Sequence, residues 1–157
     1  MTENLKTLLI KDLYKTFMIE KQKVEALRGL SFELGFGDVV SLTGHSGAGK
    51  STLLHIIGTL EKPSSGKVII SGEDISLLDD LTTSRFRNKS IGFVFQMNNL
   101  LPEFSALENV MMPRLIAGMR KNLARDRAID MLQAVGLEQR LNHRPSELSG
   151  GEQQRVA

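Results

Sequence analysis

The 157-residue chain has no cysteine, no tryptophan, one tyrosine and four prolines, and aromatic residues make up only 5 % of it. Without cysteine, a disulfide framework, a thiolate metal site and a cysteine nucleophile are excluded. This fits a reducing compartment. No apolar run approaches the roughly 18 residues that a membrane-spanning helix requires. The stretch Met1 to Leu9 carries Glu3 and Lys6 and lacks the apolar core of a secretion signal. Strong charge of either sign is missing too. Twenty Lys and Arg against 18 Asp and Glu leave a formal charge of +2, no argument by itself for a nucleic-acid partner.

What is present lies close to the average composition of soluble globular proteins. Hydrophobic residues at 41 % and charged residues at 24 % exclude a disordered tail, a collagen-like fibre and a low-complexity linker. The length is about one domain's worth and can bury a sizeable core.

The first part of the chain is strand-rich. Leu8 to Ile10, then Leu13, predict a first strand. Val24 to Leu34 alternates loosely around Gly29, which predicts two short strands or one bulged strand. Val39 to Thr43 is a short apolar run of the kind found in buried parallel strands. Lys50 to Thr59 follows as a helix, with Leu53, Leu54, Ile56 and Ile57 suited to packing on a sheet. Val68 to Ile70 predicts another strand, Leu81 to Asn88 a helix capped by Asp79 or Asp80, and Ile91 to Phe95 a further buried strand.

After Gln96 no clear strand appears. Ser105 and Glu108 form a capping-box pattern that opens a helix to about Ala117. Asn122 to Val135 predicts a second helix, apolar along Leu123, Ile129, Leu132 and Val135 and ended by Gly136. The expected organisation is an α/β part over residues 1–96, a helical subdomain over 97–148, and the start of a last helix over 149–157.

Between the Val39–Thr43 segment and the next helix lies Gly44-His45-Ser46-Gly47-Ala48-Gly49-Lys50-Ser51, which fits G-x-x-x-x-G-K-[ST] at every fixed position. Glycines let the backbone curl so that successive N–H groups point inward as an anion nest. The following helix N-terminus reinforces it. Lys50 supplies a point charge for the outer phosphates, Thr52 reaches an inner phosphate, and the Ser51 hydroxyl suits Mg²⁺, a hard ion that prefers oxygen. A chance glycine-rich turn is the competing reading. His45 occupies a variable position and reads as a loop filler.

A second motif, Leu148-Ser149-Gly150-Gly151-Glu152, combines a Ser149–Glu152 capping box with a glycine pair that allows close approach of a ligand. With both motifs present, the chain resembles the nucleotide-binding subunit of ATP-binding cassette (ABC) transporters. Gly44 to Ser51 matches that family's Walker A motif and Leu148 to Gln153 its signature motif. Gln96 stands where the family has its Q-loop glutamine. Phe17, after the first strand, matches the aromatic that stacks on adenine, with Tyr14 the weaker candidate. The stretches Ser51 to His55, Asn99 to Pro102, Ala106 to Val110 and Asn142 to Gly151 look like the lipoprotein-releasing (LolD-type) subgroup. The macrolide-export (MacB-type) and cell-division (FtsE-type) subunits share much of this pattern.

The resemblance implies a P-loop NTPase core with an antiparallel β part and an inserted α-helical subdomain. It implies ATP and Mg²⁺ held by Phe17, Gly44, Ser46, Gly47, Ala48, Gly49, Lys50, Ser51 and Thr52, with Ser51 and Gln96 toward the metal. Lys50 and Gln96 would serve catalysis. Ser149, Gly150 and Gly151 would contact ATP held by a second nucleotide-binding subunit in a head-to-tail dimer. Transmembrane permease subunits would be the membrane partner, with this chain peripheral on the cytoplasmic face. The apolar residues Leu100, Leu101, Pro102, Phe104, Met111 and Met112 are expected to divide between helical core and a groove for a coupling helix of that partner. Arg114, Arg120, Lys121, Arg125 and Arg127 read as a solvated face, because Asp126 and Asp130 are interleaved and no aromatic accompanies them.

The family also uses a Walker B strand with an Asp and a Glu, and a switch histidine. None has a candidate in this sequence, and His143 precedes the signature. The expectation is an ATPase chain truncated before the Walker B strand: poorly soluble, weak in ATP binding and inactive alone. A non-catalytic nucleotide-binding or dimer-interface module is the reading from another class, and a small-molecule kinase the enzyme alternative.

Overall fold

The computed structural model describes residues 6–157. Two compact units make up the chain, the first ending at Arg87 and the second comprising Asn88–Ala157.

The first unit is built on an antiparallel sheet. Strand β1 (Lys6–Ile19) and strand β2 (Gln22–Gly35) form a long hairpin. Its turn residues Glu20 and Lys21 have φ of 47° and 71°. That geometry matches the right-handed twist of the strands. Strand β3 (Ser65–Ile70) pairs with the other edge of β1, and the two-residue β4 (Glu73–Asp74) pairs with β3, giving the order β2-β1-β3-β4. Strand β1 runs well beyond Leu13, so Phe17 lies inside the strand and not after it. Strand β2 is a single strand whose pairing with β1 shifts register, the second of the two forms the sequence left open.

A bulge in β1 sets which residues enter the core. Register with β2 shifts between Ile10 and Leu13, and Asp12 adopts φ 46° while donating its backbone N–H to Ser31 Oγ at 2.8 Å. The extra residue moves the inward phase by one. Leu8 and Ile10 are buried before it, Leu13 and Lys15 after it. Opposite the bulge, Gly66 sits at φ 93°, and a Cβ there would collide with the Asp12 carbonyl oxygen. Only glycine fits that place.

Helix α1 (Lys50–Ile57) buries Leu53 and Ile56, while Leu54 is 55 % exposed, so only part of the expected apolar set faces inward. Helix α2 (Asp80–Ser90) is capped by Asp79, whose Oδ1 accepts the Thr82 N–H at 2.7 Å. That bond holds the Asp79 carboxyl below its ordinary range.

Two expected strands are absent. Val39–Thr43 and Ile91–Phe95 form no ladder with any described residue. Val39 is fully exposed at 100 %, and Val94 is exposed at 85 %. A strand is defined by its hydrogen-bonded neighbour, and an apolar run without one has extended propensity only. Phe93 and Phe95, two residues apart, stack on each other with centroids 5.2 Å apart.

The second unit is helical, with α3 (Ala106–Ile116), α4 (Lys121–Ala134) and α5 (Gly150–Val156). Its core gathers Ala106, Leu107 and Met111 of α3, Ala124, Ala128 and Leu132 of α4, and Val156 of α5. The buried stripe of α4 thus recurs every four residues through two alanines. It differs from the expected one: Leu123 is 55 % exposed and Val135 39 % exposed. Small Cβ-only side chains let α3 and α4 approach closely, and a reading that weights large apolar residues overlooks them. Among the described residues, no helix is long and apolar enough to cross a membrane.

Candidate functional site

The loop Gly44–Gly49 and the first turn of α1 form the candidate phosphate site. Gly49 ends the loop in the left-handed region, φ 83° and ψ 6°, directly before α1. A Cβ at this position would collide with the Ala26 carbonyl of β2. Both the conformation and the close approach require glycine. The turn delivers the chain into α1 without a side-chain cap, so the first amides of the helix have no side-chain acceptor.

Lys50 folds back over this loop. Its ammonium donates to the carbonyls of Gly44 at 2.8 Å and His45 at 2.7 Å. Among the described residues no carboxylate pairs with it. An uncompensated cation beside uncapped helix amides is a receptor for an anionic oxygen. Ser51 is exposed next to it and Thr52 is half-buried. His45 turns its ring to its own loop, Nδ1 lying 2.7 Å from the Ser46 carbonyl oxygen, as a filler would. A cleft of about 820 Å³ opens between this loop and β2, lined among others by Ala26, Leu27, Thr43, Gly49 and Lys50. The donor set fits a polyphosphate: one lysine charge, backbone amides, and a hydroxyl suited to a hard cation carried with it.

In the same unit, the half-buried ring of Phe17 lies under the Lys15 ammonium, 4.7 Å from Nζ to the ring centroid. Lys15 is itself buried and donates to Glu61 Oε1 at 2.7 Å and to the Lys62 carbonyl at 2.8 Å. The ion pair holds the Glu61 carboxyl below its ordinary range. Lys15 belongs to no sequence motif. Its spacing of two from Phe17 places both side chains on one strand face, a signal that was available. Tyr14 is 46 % exposed, and its hydroxyl stands where a Cβ on Gly29 would be.

The second motif is locally built as its sequence predicts. Ser149 Oγ accepts the Glu152 N–H at 3.3 Å, and Glu152 Oε2 accepts the Ser149 N–H at 2.8 Å. Glu152 Oε1 also accepts the Arg140 Nε–H at 2.8 Å. That charged donor, followed by the Ser149 amide and hydroxyl, lowers the Glu152 carboxyl to about 2. Gln153 donates to the carbonyls of Pro145 at 2.7 Å and Leu148 at 3.0 Å, and accepts from Asn98 Nδ2 at 2.6 Å. Arg140, Asn98 and Gln153 therefore support the motif. Long-range side-chain pairs of this kind leave no periodic signal in sequence. Gln96 is exposed two residues before Asn98, in a bend and not at a strand end.

Of the apolar residues after Gln96, Met111 is buried, Phe104 and Met112 are half-buried and Leu101 is 41 % exposed. Asn109 pins this segment by donating to the Leu101, Phe104 and Ser105 carbonyls and accepting the Leu101 N–H. The five basic residues from Arg114 to Arg127 are all exposed.

Comparison with known proteins adds four findings. A family model described as ABC transporter matches residues 27–157. The lipoprotein-releasing system ATP-binding protein LolD of Geobacter metallireducens is 53 % identical over 148 residues, covering 94 % of this chain and 66 % of that protein. An uncharacterized ABC transporter ATP-binding protein of Thermotoga maritima is 51 % identical over 152 residues, 97 % of this chain and 65 % of its own length. The ATP-binding cassette MJ0796, solved as a post-hydrolysis dimer bound to ADP and Pi, superposes with a TM-score of 0.86 at 40 % identity. The superposition covers 95 % of this chain and 66 % of that one. The chain thus spans about two thirds of the length of the relatives it matches.

Proposed function

Because the chain belongs to the ABC transporter family, we propose that it is the ATP-binding part of a subunit that drives lipoprotein release by a membrane permease. The observation that carries the ATP-binding reading is the Lys50 ammonium, turned into a glycine-built loop at the uncapped N-terminus of α1 without a carboxylate partner among the described residues. The lipoprotein reading is supported by seven LolD proteins, 47–53 % identical, among the relatives. Macrolide-type export and a cell-division role are the alternatives within the family.

On this reading Lys50 and the loop amides hold the β- and γ-phosphates, Thr52 an inner phosphate, and Phe17 the adenine. Ser51 and Gln96 would hold Mg²⁺, which when bound neutralises charge building on the phosphate oxygens. Ser149, Gly150 and Gly151 would meet the γ-phosphate of nucleotide held by a second subunit, arranged head to tail. Binding then favours the closed pair, and hydrolysis releases it. The membrane permease would engage the partly exposed apolar residues after Gln96, with the chain peripheral on the cytoplasmic face.

These 157 residues contain no candidate for the family's strand Asp and Glu or its switch histidine. A polypeptide of these residues alone is therefore expected to bind nucleotide weakly and hydrolyse it negligibly. Equilibrium binding of Mg²⁺-ATP to the chain and to its Lys50→Ala variant tests the reading. Equal affinities would overturn the loop assignment. ATP turnover by the 157 residues well above that of the Lys50→Ala variant would overturn the inactivity. Restored lipoprotein release in cells depleted of their own releasing ATPase, by a protein containing this chain, tests the cargo.

A further inference from the structure

The sheet and the loop after α1 meet in an arrangement that the nucleotide-binding roles proposed above do not use. Lys15 is 9 % exposed, an uncommon place for a lysine. Two acceptors fix its ammonium, Glu61 Oε1 at 2.7 Å and the Lys62 carbonyl at 2.8 Å. The same ammonium stands over the ring of Phe17, 4.7 Å from its centroid. A lysine kept only for an ion pair has no need of the ring, and a ring kept only for packing has no need of a cation.

We propose that Lys15 is a positioning residue for nucleobase binding: it covers one face of Phe17, fixes the ring, and leaves the other face as the stacking platform for adenine. This rests on the reading that Phe17 contacts the base. A cation on one face draws ring electron density toward itself. The opposite face becomes electron-poorer and stacks better on an electron-rich purine. The anchors on Glu61 and Lys62 keep the ammonium from swinging to solvent, so the ring enters binding already ordered. Since Glu61 and Lys62 follow α1, the base platform and the phosphate helix are tied through one side chain.

The test separates base from phosphate. Dissociation constants are measured for Mg²⁺-ATP and for inorganic triphosphate with the chain and its Lys15→Met, Lys15→Arg, Phe17→Ala and Lys15→Met/Phe17→Ala variants. Lys15→Met is expected to weaken ATP about fivefold, the scale of ordering one side chain on binding, and to leave triphosphate unchanged. Lys15→Arg keeps most of the ATP affinity. In the Phe17→Ala background, Lys15→Met has no further effect. Equal weakening of ATP and triphosphate would reduce Lys15 to a structural support and overturn the proposal, and unchanged triphosphate binding also certifies the fold of each variant. An effect of Phe17→Ala without any effect of Lys15→Met would overturn the role of Lys15 alone. No effect of Phe17→Ala on ATP would overturn the stacking reading and this proposal with it.

Discussion

Arg140 and Glu152 meet at 2.8 Å through Nε and Oε1, and the second oxygen of the same carboxylate closes the helix cap on Ser149. One side chain thus joins the segment before the signature to the start of α5. Its carboxyl, lowered to about 2 from an ordinary 4.5, binds its proton far less readily in the folded chain than in the unfolded one. The stabilisation is present in full only above about pH 4.5, falls as the pH drops through about 2, and is gone below that. Glu152→Gln is expected to be less stable than the parent at pH 7 and to converge with it toward pH 2. Urea unfolding midpoints across that range check this. A constant gap between the two proteins would contradict it.

On the proposed reading, removing the Lys50 ammonium deletes charge-assisted bonds to phosphate, and within the chain it breaks two bonds to its own loop. Lys50→Ala is expected to weaken ATP binding about tenfold or more and to leave the unfolding midpoint nearly unchanged. Titration calorimetry and a thermal melt measure the two.

Gly49 and Gly47 both have positive φ, 83° and 79°, but only Gly49 has backbone where a side chain would go. Gly47→Ala is expected to cost about 1–2 kcal/mol from conformation alone. Gly49→Ala adds the collision with Ala26 and is expected to cost more and to abolish ATP binding. Denaturant unfolding of the two variants orders them.

The α4 stripe gives a contrast within one helix. Leu132 is 1 % exposed and Leu123 55 %. Leu132→Ala is expected to cost about 2–5 kcal/mol, Leu123→Ala within about 0.5 kcal/mol. Similar losses at both sites would restore the apolar face expected from sequence.

What the sequence disclosed was local. The caps at Ser105 and Ser149 are decided within four residues, and both form as read. The loop before α1 is a spacing of glycines and a lysine, and its conformation too is decided within one turn. Strands are not local. Val39–Thr43 and Ile91–Phe95 carry strand composition, yet no described residue supplies a ladder. Lys15 is less legible for a related reason: its spacing puts it on one strand face with Phe17, but the bulge at Asp12 decides that this face turns inward at Lys15.

The carbonyl of the bulge residue Asp12 fills the space that a Cβ at Gly66 would need. Neither position is therefore free to vary on its own. A side chain at 66 demands a β1 shorter by one residue, and that deletion would turn Lys15 and Phe17 together to the opposite face of the sheet. A single inserted residue in the first strand thus sets the identity of a glycine in the third strand and the orientation of a lysine near the proposed base site. Among homologues, loss of the insertion and loss of the glycine should be inherited together.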